Sequence, residues 1–269
     1  MRYRISTLRD DPRLRRHFRR LHAVAWPRFL RDDALNAVWS RLYSDFPDHQ
    51  IALVDGTGRV AAVGNTIPFI WDGTPRGLPD RLVDVVALGL DARERGRPAN
   101  ALSALAAIVD PRRRGTGLSA RIVRAMARSA ARHGLRALVA PVRPSLKGRY
   151  PLTPMARYAA WTRPDGSLFD PWLRVHRALG ARVLRITPRG NTVRATVAEW
   201  EAWTGLAFPE SGRYVVPGAF GPIAVDRARG RVRYEEANVW MRHPVPSPRR
   251  DRRRGPTPRV RRTAPSARR

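Results

Sequence analysis

The chain has 269 residues, no cysteine and a formal net charge of +30, so it is long enough for one large domain with insertions. The missing cysteine excludes disulfides, thiolate zinc sites and a cysteine acyl-enzyme, and the scattered histidines show no H-E-x-x-H spacing, so no metal is expected. No apolar run approaches the roughly 18 residues of a membrane span, and the start of the chain reads as a strand pattern and not a signal peptide, so the expected location is cytoplasmic.

Residues 2–8 alternate as a strand. Asp10-Asp11-Pro12 then begins a helix, with proline near its first turn and Phe18, Leu21 and Val24 as its apolar face. A second helix is expected over 33–43, with Leu35, Val38 and Leu42 buried. Residues 50–54 and 59–70 read as a hairpin across Asp55-Gly56-Thr57-Gly58. Between 71 and 100 the stretch 82–92 is helical and apolar.

The most informative run is Val109-Asp110-Pro111-Arg112-Arg113-Arg114-Gly115-Thr116-Gly117-Leu118-Ser119, which joins a strand over 102–109 to a helix over 118–132. Two glycines let backbone approach a ligand without a side chain in the way, and the free amides of a helix start attract phosphate. Three readings of that phosphate compete. A dinucleotide fingerprint fits Gly115-x-Gly117-x-x-Ala120 only loosely, because the stretch about 20 residues on, 135–140, carries no acid for the ribose. A nucleoside-triphosphate loop needs Gly-Lys-Ser/Thr, and the only lysine is Lys147. The third is an acyl-CoA site: Arg112-x-x-Gly115-x-Gly117, with Val109 and Pro111 before it and Leu118 after, resembles the Arg/Gln-x-x-Gly-x-Gly/Ala signature of the GNAT superfamily of acyl-CoA-dependent N-acyltransferases.

The following segments extend the resemblance over 102–186. Leu118, Ile122 and Met126 form one stripe of the helix and Arg121, Arg124, Arg128 and Arg132 another, and His133-Gly134 ends it. A buried strand over 137–142, a helix over 172–181 and a strand over 182–186 then resemble the family's next units. Ala181 departs from the aromatic usually found there. The strand–two-helix–two-strand order before the loop also agrees with the family.

The resemblance implies an α/β fold of GNAT type, a mixed sheet flanked by helices, with insertions and a C-terminal extension. The expected division is an acyltransferase domain over 1–244, with the extension at 188–244, and a basic disordered tail over 245–269. It implies acetyl-CoA, or another acyl-CoA, as co-substrate, with its arm between splayed fourth and fifth strands. Ala107, Ile108 and Val109 would hold the arm. Arg114, Gly115, Thr116 and Gly117 would hold the pyrophosphate through their amides, and Arg112 or Arg113 the 3′-phosphate. The family often uses a tyrosine four residues before the helix-ending glycine as the acid, and His176 stands there before Gly180. It reads either as that acid or as a structural helix histidine. Asp170 is the candidate base or, equally, the cap of its helix; Glu199 and Glu201 are more distant candidates.

The helix over 82–92 reads as an insertion near the acyl site. A second insertion, 143–170, is rich in prolines and aromatics, and Tyr150, Tyr158 and Trp161 are expected to line an acceptor pocket or else to cover the core. Beyond it, Thr196 with Glu199 reads as a capping box, and 214–216, 223–225 and 231–234 as added strands.

The expected activity is acyl transfer to the amine of a small-molecule or peptide acceptor by direct attack in a ternary complex. No acidic cluster marks a polycation site, which favours a neutral or anionic amine. Two other readings stand beside it: a non-catalytic acyl-CoA-binding or sensing module, and a basic nucleic-acid-binding protein. The tail, with ten arginines and one aspartate, is either a solvated extension or a non-specific polyanion contact.

Overall fold

The computed structural model describes residues 2–31 and 34–246, with the side chains of 34–37 left aside; the expected tail lies outside the described residues from 247 onward. Among the described residues no helix is long and apolar enough to cross a membrane.

The chain opens with β1 (Tyr3–Thr7), a 3-10 turn over Pro12–Leu14 capped by Asp11, and α1 (Arg15–Ala25). Phe18 and Leu21 are fully buried, but Val24 is 59% exposed. Three-residue spacing drifts around a 3.6-residue helix, so the face continues at Ala25, which packs on the core where Val24 was expected to. Helix α2 (Ala34–Asp45) buries Leu42 and half-buries Val38; Leu35 belongs to the side chains not described. The hairpin is β2 (Gln50–Asp55) and β3 (Val60–Phe69), its turn pinned by Asp55, which accepts from the Thr57 and Arg59 amides.

Helix α3 (Leu82–Glu94) packs on β3, and β4 (Ala101–Val109), α4 (Leu118–Arg132) and β5 (Ala137–Val142) follow. The second insertion contains the short α5 (Met155–Ala159) and leads into α6 (Pro171–Ala178). Lys147, 2% exposed, fastens it to the extension, its ammonium donating to the carbonyls of Tyr150 and Phe220.

Strand β6 (Arg182–Thr196) and β9 (Arg231–His243) are far longer than the segments read from sequence. Between them lie α7 (Val197–Thr204), β7 (Gly212–Tyr214) and β8 (Ile223–Asp226). The Thr196–Glu199 capping box forms at the start of α7.

Among the described residues one mixed sheet of nine strands runs β1-β2-β3-β4-β5-β9-β8-β7, with β6 on the other edge of β9. All neighbours are antiparallel except β4 and β5. One face carries α4, whose Ile122 packs with Leu102 and Leu138; the other carries α1, α2 and α3 over Val63, Leu105 and Ile108.

Candidate functional site

The loop after β4 is built as an anion cradle. Gly115 and Gly117 both adopt positive φ, 79° and 75°, which an L side chain rarely takes. Gly117 caps α4, and the amides of Gly115, Thr116, Gly117 and Leu118 find no partner among the described residues. Two ion pairs hold the loop from below: Arg20 to Asp110 at 2.9 Å and Arg113 to Asp55 at 2.6 Å. Hydrogen bonds from Thr57 and Arg59, together with Arg113, keep Asp55 well below the usual carboxylate range. This corrects one expectation. The Arg113 guanidinium is committed to Asp55 and to the Tyr3 hydroxyl, leaving Arg112 and Arg114 as the exposed cations of the loop.

Behind the loop, β4 and β5 pair at only three positions, from Ala101–Ala137 to Ser103–Val139. A bulge on β4 follows at once: Asn65 of β3 faces Ala106 and Thr66 faces Ala104, so Leu105 is the extra residue. A bulge bends its strand and steepens the twist, so it turns β4 away from β5. Residues 104–109, including the candidates Ala107, Ile108 and Val109, therefore have no strand partner on the β5 side. Ala104, Ala107 and Val109 turn toward α4, where their small side chains leave room, whereas Ile108 is buried beneath α1.

On the opposite face a half-open cavity of about 480 Å³ lies over the cleft. Leu105 and Pro141, one from each splayed strand, form its floor; Trp26, Trp39 and Tyr43 form its walls. Arg15, Arg19 and Arg31 stand around it, and His22, Arg143, Asn191 and Asn238 complete it. The Arg143 charge is matched by Glu236, which is fully buried and accepts two hydrogen bonds from the guanidinium at 2.9 Å.

A chain of amides fixes the imidazole of His22. Gln50 donates through Nε2 to the carbonyls of Phe46 and Thr66, so its Oε1 must accept from Asn65 Nδ2. Asn65 Oδ1 therefore faces His22 Nε2 at 2.7 Å, and Nε2 carries the proton. The ring's lone pair is on Nδ1, where it accepts from Trp26 Nε1 at 3.1 Å. Burial pushes the imidazole below its ordinary range, so it is neutral.

The other anticipated residues lie elsewhere. Tyr150, Tyr158 and Trp161 do not line the cavity; with Phe169 they form a cluster of rings 5.0 to 6.2 Å apart on the far side of β5. Asp170, 1% exposed, accepts from the amides of Trp172, Leu173 and Leu146 and from the Tyr158 hydroxyl, which makes it a helix cap with no room for an amine proton. Glu199 is spent on its capping box and Glu201 accepts from the Phe208 amide. His176 is buried against Trp172, with Nδ1 at 2.7 Å from His243 Nε2 and its own Nε2 unpartnered. The cavity residues had a legible sign, since Arg15, Arg19, His22 and Trp26 share one stripe of α1, beside the buried one.

No family model matches the chain. The loading GNATL domain of CurA from Lyngbya majuscula superposes with a TM-score of 0.59 over 91% of this chain and 98% of that domain, at 18% identity. The GphF GNAT-like decarboxylase in complex with isobutyryl-CoA follows at 0.55, over 90% of this chain and 100% of that one, at 19% identity. The chain has the GNAT fold. Among the described residues the fourth and fifth strands part beyond Ser103, as the resemblance implied. A further relative is the arginine N-acetyltransferase avaD of Aspergillus versicolor, 33% identical over 147 residues. That match takes in 48% of this chain and 51% of avaD, so the chain spans about half the length of that curated relative.

Proposed function

We propose that the protein is an acyl-CoA-dependent N-acyltransferase that moves an acetyl group to an amine. The observation that carries this reading is the gap between β4 and β5, with a phosphate cradle on one face and a half-open cavity on the other. A donor arm and an acceptor entering from opposite faces meet at Leu105 and Pro141. The relative named an arginine N-acetyltransferase supports amine transfer and makes arginine the first acceptor to try.

The chain's groups fit such a donor. The unpartnered amides of 115–118 and the exposed Arg112 and Arg114 would take the pyrophosphate and the 3′-phosphate. The unpaired edge of 104–109 would hydrogen-bond the arm as a strand does and polarise the thioester carbonyl. With the Trp26 N–H moved aside, His22 Nδ1 would accept the amine proton as the C–N bond forms; the C–S bond then breaks, and the CoA thiolate takes a proton from the imidazolium or from water to leave as the thiol. An arginine cradle alone would also serve a module that holds acyl-CoA without turnover, but such a module has no use for an acceptor cavity on the opposite face.

The test is calorimetric titration with acetyl-CoA at near-physiological salt, beside the Gly115→Val, Gly117→Val variant, followed by acetyl-CoA turnover with arginine and an amine panel. Saturable binding lost in a folded variant, with turnover on an amine, is the expected result. Salt-sensitive binding alike in both proteins overturns the reading in favour of diffuse polyanion contact.

A further inference from the structure

The cavity under α1 and α2 holds two polar groups that the fold buries and leaves unsatisfied. Among the described residues Asn238, 2% exposed, has an Oδ1 with no hydrogen-bond partner, and Arg31 has an Nε likewise without one. Both residues line the cavity. A buried polar atom without a partner costs roughly 1–3 kcal/mol, so two in one cavity point to a ligand that satisfies them.

Local backbone geometry sets where both side chains lie. Strands β6 and β9 lose register between Thr187 and Asn191, and the extra residues include Gly190. A side chain at Gly190 would collide with the Asn238 amide, so the glycine is what lets that amide lie flat against β6. The same irregularity brings Asn191 to the cavity wall, where it donates to Glu236 at 3.2 Å. Arg31 is anchored through Nη1 to the Ala23 carbonyl at 3.3 Å, which leaves Nε for something else.

The charges agree. Glu236 cancels Arg143, and His22 is neutral. Arg15, Arg19 and Arg31 have no carboxylate partner among the described residues, and the described lining contains no acid. Arg15 rests on the Tyr43 ring at 5.3 Å, held at the rim. Three cations around apolar walls give the cavity mouth a net positive potential, screened in part because Arg15 and Arg19 are exposed.

We infer that the acceptor carries a carboxylate as well as its amine. The carboxylate would take the Arg31 Nε–H and the field of Arg15 and Arg19, and an N–H of the acceptor would donate to Asn238. This deepens the acyltransferase reading and rests on it.

The test compares three pairs that differ only by a carboxylate: phenylalanine with phenethylamine, leucine with isopentylamine, arginine with agmatine. Binding to the CoA-saturated protein is measured by calorimetry, and acetyl transfer separately. The expected result is at least tenfold tighter binding of one or more amino acids than of the matching amine, reduced to under threefold in Arg31→Met. Arg19→Met, at an exposed position, is a second variant that should lower the preference without disturbing the fold; thermal melts check both. An amine that binds as well as its amino acid, a preference that survives both variants, or no binding by any of the six overturns the inference. A clear preference with no acetyl transfer leaves the carboxylate site standing and defeats the acyltransferase reading instead.

Discussion

His22 donates its Nε2 proton to Asn65 Oδ1 at 2.7 Å, and that bond decides which nitrogen of the ring is basic. Because Asn65 is itself oriented by Gln50, the choice traces back to two main-chain carbonyls, those of Phe46 and Thr66. Were His22 the base, its tautomer would already be set by the sheet beneath it, and only the Trp26 N–H on Nδ1 would have to move when the amine arrives.

His22→Gln keeps an N–H for Asn65 but has no basic nitrogen. It should lower kcat by about 10²–10⁴-fold while leaving acetyl-CoA affinity unchanged. In the wild type, burial lowers the ring's pKa, so kcat/KM should hold level through the ordinary imidazole range and fall only at more acidic pH as the ring protonates, and the variant should lose that limb. Steady-state kinetics from pH 5 to 8 reads both. A variant with the same rate and the same acid limb would remove His22 from the chemistry.

Asp170→Asn addresses the competing candidate. An amide cannot accept from the Leu146, Trp172 and Leu173 amides and the Tyr158 hydroxyl as a carboxylate does. A cap loss of about 1–2 kcal/mol should appear as a lower Tm, with kcat below that temperature within a few-fold of the wild type. A collapse of kcat in a fully folded protein would restore Asp170 as the base.

Glu236→Leu removes the acid that Arg143, Asn191 and Tyr234 all share. Stranding a half-buried guanidinium should cost roughly 3–5 kcal/mol, a fall in Tm on the order of 10 °C. A thermal melt decides it, and a change of only a degree or two would mean that Arg143 finds water.

Acid should weaken the fold before the carboxylates titrate. Burial holds His49 and His243 at about 4 and His176 at about 3, each below an unfolded value of about 6.5. A depressed imidazole leaves stability whole above the unfolded value and erodes it as pH falls toward the folded one. For a histidine at about 4, the loss by pH 5 is about 2 kcal/mol. Denaturant midpoints at pH 7 and pH 5 test this, and His243→Asn, which frees His176 of its partner, should change the difference between them.

Local signals made the centre of the fold legible. The bounds 118–132 and 137–142 follow from one apolar stripe, one Gly stop and one apolar run, and the structure keeps them. Beyond the α1 stripe the cavity was not legible, because Leu105, Pro141 and Asn238 meet only through the crossing of β4, β5 and β9. The aromatics of the second insertion misled for a related reason: four rings close in sequence satisfy one another, and nothing local says whether they do so around a ligand. Strand β9 was cut short at Tyr234 because Glu235, Glu236 and Asn238 look like loop, and only the partners of Glu236 explain why it is buried.

Thr196 and Arg231, the two ends of the segment that carries α7, β7 and β8, are cross-strand partners on β6 and β9. The chain thus leaves the core and re-enters it at neighbouring positions, so the whole excursion is a cassette clipped into a hairpin tip. Trp200 of that cassette stacks on Phe29 at 5.0 Å, and Leu30 beside it lines the cavity. Exchange of the cassette for another of different bulk would reset the reach of the acceptor side while the phosphate loop stayed untouched, which gives a lineage, or an engineer, a way to change clientele without redesigning the donor end.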